Sequence, residues 1–266
     1  MAIIGGDGTK QITSEVDQFG SIMQQNVIEN EFNIEYAPLA TIQQGMAIEF
    51  AVKGANDLYL DLNNSRLHVL AKITKADGTN IDANTAGLIN LTLHTMFRKI
   101  GLELAGRNVG DTSQLYPYRA HLKTLFNLCK KTQETRLLCE GWTKNTSGHI
   151  GVTAVGGNNA GLNACAATFA RSTVVELIGR PYLDVFNHER LIPPNIDLHM
   201  KLMPSPNNFV CKSAAPSHII AQQENYKLVI LSVNHIIHTT KLTSTSHGSL
   251  MDLLVHQNMR HHLSRV

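Results

Sequence analysis

Between Leu58 and Gly78 one run of residues limits what this chain can fold into. Leu67, Val69, Ala71 and Ile73 fall on one side of an extended chain and Arg66, His68, Lys72 and Thr74 on the other, with Leu70 the exception. A period of two is that of a half-buried β-strand. Upstream, Tyr59-Leu60-Asp61-Leu62 reads as the end of another short strand, broken at Asn63-Asn64-Ser65. Asp77-Gly78 closes the run with a pair that tolerates the positive φ of a tight turn. The spacing predicts Leu67, Val69, Ala71 and Ile73 buried, and Arg66, Lys72 and Thr74 exposed or at a subunit contact. A slip of one residue would turn the whole set outward. A strand this long and one-sided needs a second layer, which the rest of the chain must supply.

Further extended runs are present. Phe32, Ile34 and Tyr36 alternate with polar neighbours up to Pro38, and Ala47 to Val52 form a second run before Gly54. Ile100, Leu102 and Leu104 lead into a hairpin turn at Ala105-Gly106-Arg107-Asn108. Val174, Glu176 and Ile178 oppose Thr173, Val175 and Leu177, and Ile196, Leu198, Met200 and Leu202 alternate with Asp197, His199 and Lys201. Tyr226 to Leu242 is apolar on both faces from Leu228 to Val233, which predicts a central strand covered on both sides. Leu88 to Phe97 has helical spacing over a short length. From Pro117 to Leu138 the pattern changes: Leu122, Leu125, Phe126 and Cys129 make a helical stripe. The stripe predicts a helix over Tyr118 to Leu128 with Leu122, Leu125 and Phe126 turned inward. Phe126→Ala should then cost on the order of 3 kcal/mol. Thr143 to Leu162 is rich in glycine, Asn and Thr and reads as a long surface loop. About seven to nine extended segments with little βαβ alternation predict an all-β fold, a jelly-roll sandwich with a helical insertion. The expected division is an N-terminal arm over 1–25, a jelly-roll domain over 26–245, and a C-terminal tail over 246–266. The insertion is expected at about 117–138 and the loop at about 143–162. In the tail, Leu250, Leu253, Leu254 and Gln257 hint at a short helix.

The 266 residues suffice for one large β domain, and 43 % hydrophobic residues can fill its core. With 23 basic and 21 acidic residues the formal charge is +2, which leaves no electrostatic footprint for nucleic acid. No apolar run reaches the roughly 18 residues of a membrane span. Met1 to Lys10 lacks the basic and apolar regions of a signal peptide. Cys129, Cys139, Cys165 and Cys211 are dispersed, which suits a reduced, intracellular protein.

Candidate chemistry does not converge. His235 and His238 are three apart on an expected strand, hence on opposite faces, and no carboxylate follows closely. They read as polar positions facing solvent or a neighbouring subunit rather than as a cupin-type metal pair. His261-His262 lies at the chain's end. Cys139 precedes Glu140-Gly141-Trp142 with no histidine placed to activate it, and reads as buried or inert. Gly156-Gly157 lacks the strand-before and helix-after context of a phosphate loop. Glu29 and Glu31 read as solvated, and Arg119 and Lys123 as one exposed helix face. No catalytic, cofactor-binding or metal residue is therefore assigned, and no cofactor is expected.

Five segments carry a resemblance. They are Ile34-Glu35-Tyr36-x-Pro38-Leu39; Tyr59 to Leu62 with Leu67-x-Val69-x-Ala71-Lys72-Ile73 and Asp77-Gly78; Leu93-His94-x-Met96-Phe97; Tyr116-Pro117-Tyr118-Arg119; and Leu177-Ile178-Gly179-Arg180 through Asp184-x-Phe186 to Arg190-Leu191. In this order and spacing the chain resembles the hexon-like, double jelly-roll major capsid proteins of Polinton/Maverick elements and adintoviruses. The resemblance implies a structural, non-enzymatic jelly-roll subunit that trimerises and tiles an icosahedral shell. Its partners would be further copies, other capsid proteins or a second jelly-roll half. No specific nucleic acid and no membrane span are expected. It would reside in the virion if assembly-competent, and otherwise inside the cell. Family members carry two rolls in tandem, whereas this chain has room for about one. A fragment, a truncated element-derived gene or a half that pairs with a separate second roll is expected. The alternative is a free-standing cupin-like or ligand-binding jelly roll. Only 6 % aromatic residues and one tryptophan count against a sugar site on it.

Overall fold

Alternating residues make ten strands in a computed structural model that describes residues 27–152, 154–213 and 226–252. The strands are β1 (Ile28–Tyr36), β2 (Ile48–Val52), β3 (Leu58–Lys75), β4 (Ala86–Leu88), β5 (Phe97–Leu104), β6 (Arg107–Asp111), β7 (Val175–Gly179), β8 (Leu198–Pro204), β9 (Cys211–Ser213) and β10 (Tyr226–Leu242). The helices are α1 (Thr92–Thr95), α2 (Tyr116–Asn127), α3 (Lys130–Gln133), α4 (Ala160–Thr168) and α5 (Asn207–Val210). Contacts divide the chain into Asn30–Leu242 and a second unit of residues 1–29 and 243–266. In the second unit, residues 244–252 are helical, and Leu253, Leu254 and Gln257 lie outside the described residues. The 1–25 arm and His261-His262 lie outside the described residues.

Two four-stranded sheets, β1-β10-β3-β7 and β2-β8-β5-β6, carry the fold, and β4-β9 form a small ribbon. Without that ribbon, the first, last, third and sixth of eight strands share one sheet, and the second, seventh, fourth and fifth share the other. This interleaving is the wrap of a jelly roll. The alternation in β3 decides which faces meet: Leu67, Val69, Ala71 and Ile73 are all buried against the second sheet's Phe50, Phe97 and Ile100. In β8, Leu198, Met200 and Leu202 point inward and His199 and Lys201 outward. Leu104 pairs Arg107 across a two-residue turn, with Ala105 at φ 48° and Gly106 at φ 73°. Two positive φ values are what a tight hairpin needs to match strand twist.

Four expectations are corrected. Thr74 is buried, because Asn80 bridges back to it and the turn covers it. Asn63-Asn64-Ser65 does not break the strand. Instead Leu62 to Ser65 of β3 stand opposite Ile237 of β10, an irregularity that bends the pair. Ser65 Oγ supports it, donating to the Asp61 carbonyl (2.6 Å) and accepting His238 N–H (3.2 Å). The third correction is β10 itself, which is central in its sheet but covered on one face. Leu231 sits at a register shift and is 46 % exposed. Apolar residues on both faces of a strand do not by themselves create a second covering layer.

The fourth concerns α2, which lies in the long connection from β6 to β7 with Pro117 in its first turn. Its buried face is Tyr116, Pro117, Ala120 and Thr124. Leu122, Leu125 and Phe126 point outward, at 51 %, 48 % and 80 % exposure. Small Ala120 allows close approach, and the hydroxyls of Tyr116 and Thr124 have partners inside the fold. Leaving such groups buried and unpaired would cost about 1–3 kcal/mol each. Helix α4 starts within the stretch expected to be loop. Its N-cap is Asn159, whose side chain accepts Gly161 N–H.

Candidate functional site

A buried polar cluster holds α2 on the roll. Tyr116 begins that helix, His94 lies on α1, Glu140 ends the 3-10 turn Arg136–Glu140, and Tyr182 follows β7. None of the four is more than 5 % exposed. The Glu140 carboxylate accepts from His94 Nε2–H at 2.9 Å, which leaves Nδ1 of the neutral ring to accept the Tyr116 proton at 2.7 Å. The Tyr116 oxygen in turn accepts Tyr182 N–H at 3.1 Å. Tyr182 O–H donates to the same oxygen at 3.4 Å, and Thr124 of α2 donates to Tyr182 at 3.4 Å. Burial raises the Tyr116 phenol above its usual range and, with the Glu140 charge, pushes Tyr182 up to about 12. The residue types suit acid–base chemistry, but a group this sealed has no access to a substrate. The cluster acts as a latch with every donor used. Gly179 makes room for it: a Cβ there would stand 2.5 Å from Glu140 Cγ.

A second fastening is exposed. Asp184 accepts from Arg119 at 2.5 Å and from Lys123 at 3.0 Å, and these bonds, Arg119 first, hold its carboxyl down to about 2. The pair read as one free helix face is thus a clamp on the segment after β7.

The other singled-out residues stay apart. His235 and His238 do face opposite ways, but His235 is 0 % exposed rather than facing solvent. It lies between Phe50 (ring centroids 5.9 Å apart) and Phe186 (6.0 Å). Neither ring nitrogen has a hydrogen-bond partner, and burial pushes the imidazole down to about 3. His238 bonds Asn33 Oδ1 at 3.0 Å and stands 3.8 Å from Glu31, a carboxylate supplied by β1 rather than from downstream. Cys139 is exposed, and the histidine nearby in space serves its neighbour Glu140. Gly156-Gly157 does precede a helix, α4, whose first turn is occupied by the Asn159 cap. Among the described residues no three His, Cys, Asp or Glu side chains stand together as metal ligands, and no helix is long and apolar enough to cross a membrane.

One stretch of the surface is apolar. Leu115, Tyr118, Leu122, Leu125 and Phe126 form one outward stripe along α2, each close to half exposed or more. Sequence periodicity found the stripe and misplaced it. The latch was missed because its members are far apart in the chain, although His94 and Tyr116 both lie in segments that carried the resemblance.

No protein-family model matches the sequence, and no curated protein matches it at a significant level. Solved structures do match in shape. A chain of the Sputnik virophage structure aligns with TM-score 0.57 at 9 % identity, over 92 % of this chain and 53 % of that one. The mavirus major capsid protein aligns with TM-score 0.42 at 12 % identity, over 87 % and 50 %. The Faustovirus major capsid protein gives 0.42 at 7 %, over 90 % and 59 %. The chain therefore spans about half the length of the solved chains it matches. At these identities the likeness is one of fold, a jelly roll of the kind seen in viral capsids.

Proposed function

We propose that the chain is a structural capsid-type subunit of a virus or virus-derived element, a hexon-like building block of an icosahedral shell or a remnant of one, and not an enzyme. The observation that carries this reading is the outward apolar stripe of α2 on a jelly roll. An apolar stripe fastened with its apolar side to water is a surface awaiting a partner. The Sputnik match over 92 % of the chain supports the fold on which the reading rests. The matched chains run about twice as far, so the partner we propose is a second jelly roll or further copies, arranged as trimers. Residues 26–245 would form the shell domain, with 1–25 as arm and 246–266 as tail, and the assembled protein would reside in the virion. The Polinton/Maverick and adintovirus group is the source that the sequence segments favour.

Sedimentation velocity of the purified chain tests this. Concentration-dependent association is expected, resolving into a defined species when a second jelly-roll half is co-expressed. A monomer at high concentration that carries a stoichiometric metal and turns over a small molecule would overturn it.

A further inference from the structure

Beneath the start of α2 lies a cavity of about 280 Å³. Its walls come from five places in the chain: Ile89 after β4, Pro117 and Tyr118 of α2, Val152, Leu162 of α4 and Phe209 of α5. One cation stands on this apolar wall, Lys212 of β9. It is half-buried, and among the described residues no hydrogen bond or carboxylate engages its ammonium. Burial lowers its pKa, and the Cys211 thiol beside it, itself pushed up to about 12 by burial, is neutral and supplies no counter-charge. An ammonium taken partly out of water without an anion is costly, and a bound anion offsets that cost.

The other polar groups on the wall are largely committed. Asn90 bonds Thr143 through both side-chain atoms and also accepts Leu91 N–H. Thr95 donates to the Leu91 carbonyl, and Asn159 caps α4. His121 is kept neutral by burial and lies against Trp142, with ring centroids 5.6 Å apart. The wall thus offers an apolar chamber with one unspent positive charge. We propose that this cavity binds a small amphiphilic anion, a medium-chain carboxylate whose tail fills the chamber and whose head pairs with Lys212. The volume equals about nine waters at roughly 30 Å³ each, room for a ligand on the order of ten non-hydrogen atoms. Octanoate is of that size. The site lies at the edge of the helical insertion, and its Lys212 end is away from the Leu122, Leu125 and Phe126 stripe.

Trp142 supplies the readout, since it is the chain's one tryptophan and packs on a residue of the cavity wall. The full chain is titrated with octanoate, octanol and octylamine at pH 7, following Trp142 fluorescence and confirming by calorimetry. Saturable binding is expected, with octanoate tighter than octanol by about tenfold or more, the worth of one charge-assisted bond. Octylamine should bind weakest. Lys212→Gln should bring octanoate down to the level of octanol and leave octanol unchanged, whereas Lys212→Arg should keep the preference. Absence of saturable binding, equal affinity for octanoate and octanol, or an unaltered preference in Lys212→Gln would each overturn the proposal.

Discussion

His235 brings two ring nitrogens into the core and finds a partner for neither. The neutral ring still carries one N–H, and leaving such a group unbonded costs about 1–3 kcal/mol. Its folded pKa, about 3, lies below the value near 6.5 of an unfolded histidine. Below pH 6.5 the unfolded chain therefore takes up a proton that the folded one refuses. Stability from this group is complete above pH 6.5 and falls by about 1.4 kcal/mol per unit toward pH 3, where the loss levels off. His235→Leu should raise the unfolding free energy at pH 7 by about 1–3 kcal/mol in urea titrations. The gap between variant and parent should widen by roughly 2 kcal/mol at pH 5. A gap that is the same at both pH values would mean that water or a partner reaches the ring. The period of two was enough to place His235 and His238 on opposite faces. It could not say which face is the core, because at that position a histidine replaces the apolar residue that normally marks it.

Helix α2 is held by polar atoms and presents its large apolar residues to water, the reverse of what a helical stripe implies. Phe126→Ala should thus change unfolding free energy by less than about 0.5 kcal/mol, as at other surface positions. Tyr116→Phe removes only the oxygen that receives Tyr182 N–H and bonds His94, and should cost about 1–3 kcal/mol because both partners stay buried. If Phe126→Ala proved the more damaging of the two, the helix would be packed the other way round in solution. Most strands and the extent of α2 were legible, since periods of two and of roughly four are local properties of a sequence. The docking face was not. It depends on Thr124 meeting Tyr182 and Tyr116 meeting His94, pairs that only the folded chain brings together. Helix α4 was hidden for another reason: it follows a glycine-rich run and is built mostly of small residues, so no stripe announces it.

At the scale of the whole molecule, three of the five segments singled out in the sequence converge on the connection that carries α2. Leu93-His94, Tyr116 to Arg119 and Gly179 to Asp184 supply both ends of the latch and the clamp. In this jelly roll those segments fasten α2 with its stripe outward, which makes sense if the stripe is to be used. A contact through Leu122, Leu125 and Phe126 would be driven by apolar burial, worth roughly 25 cal/mol per Å². It should therefore respond to salt in a characteristic way. Contacts between exposed charges weaken as ions screen them, while excluded salts such as sulfate strengthen apolar association. Self-association measured by sedimentation should persist from 0.1 to 1 M sodium chloride and grow in ammonium sulfate. A Leu122→Ser, Phe126→Ser double variant should stay monomeric at concentrations where the parent associates, with its urea midpoint unchanged. Association that vanishes in high salt, or that survives the double substitution, would place the contact on a charged surface elsewhere and leave α2 with no part in it.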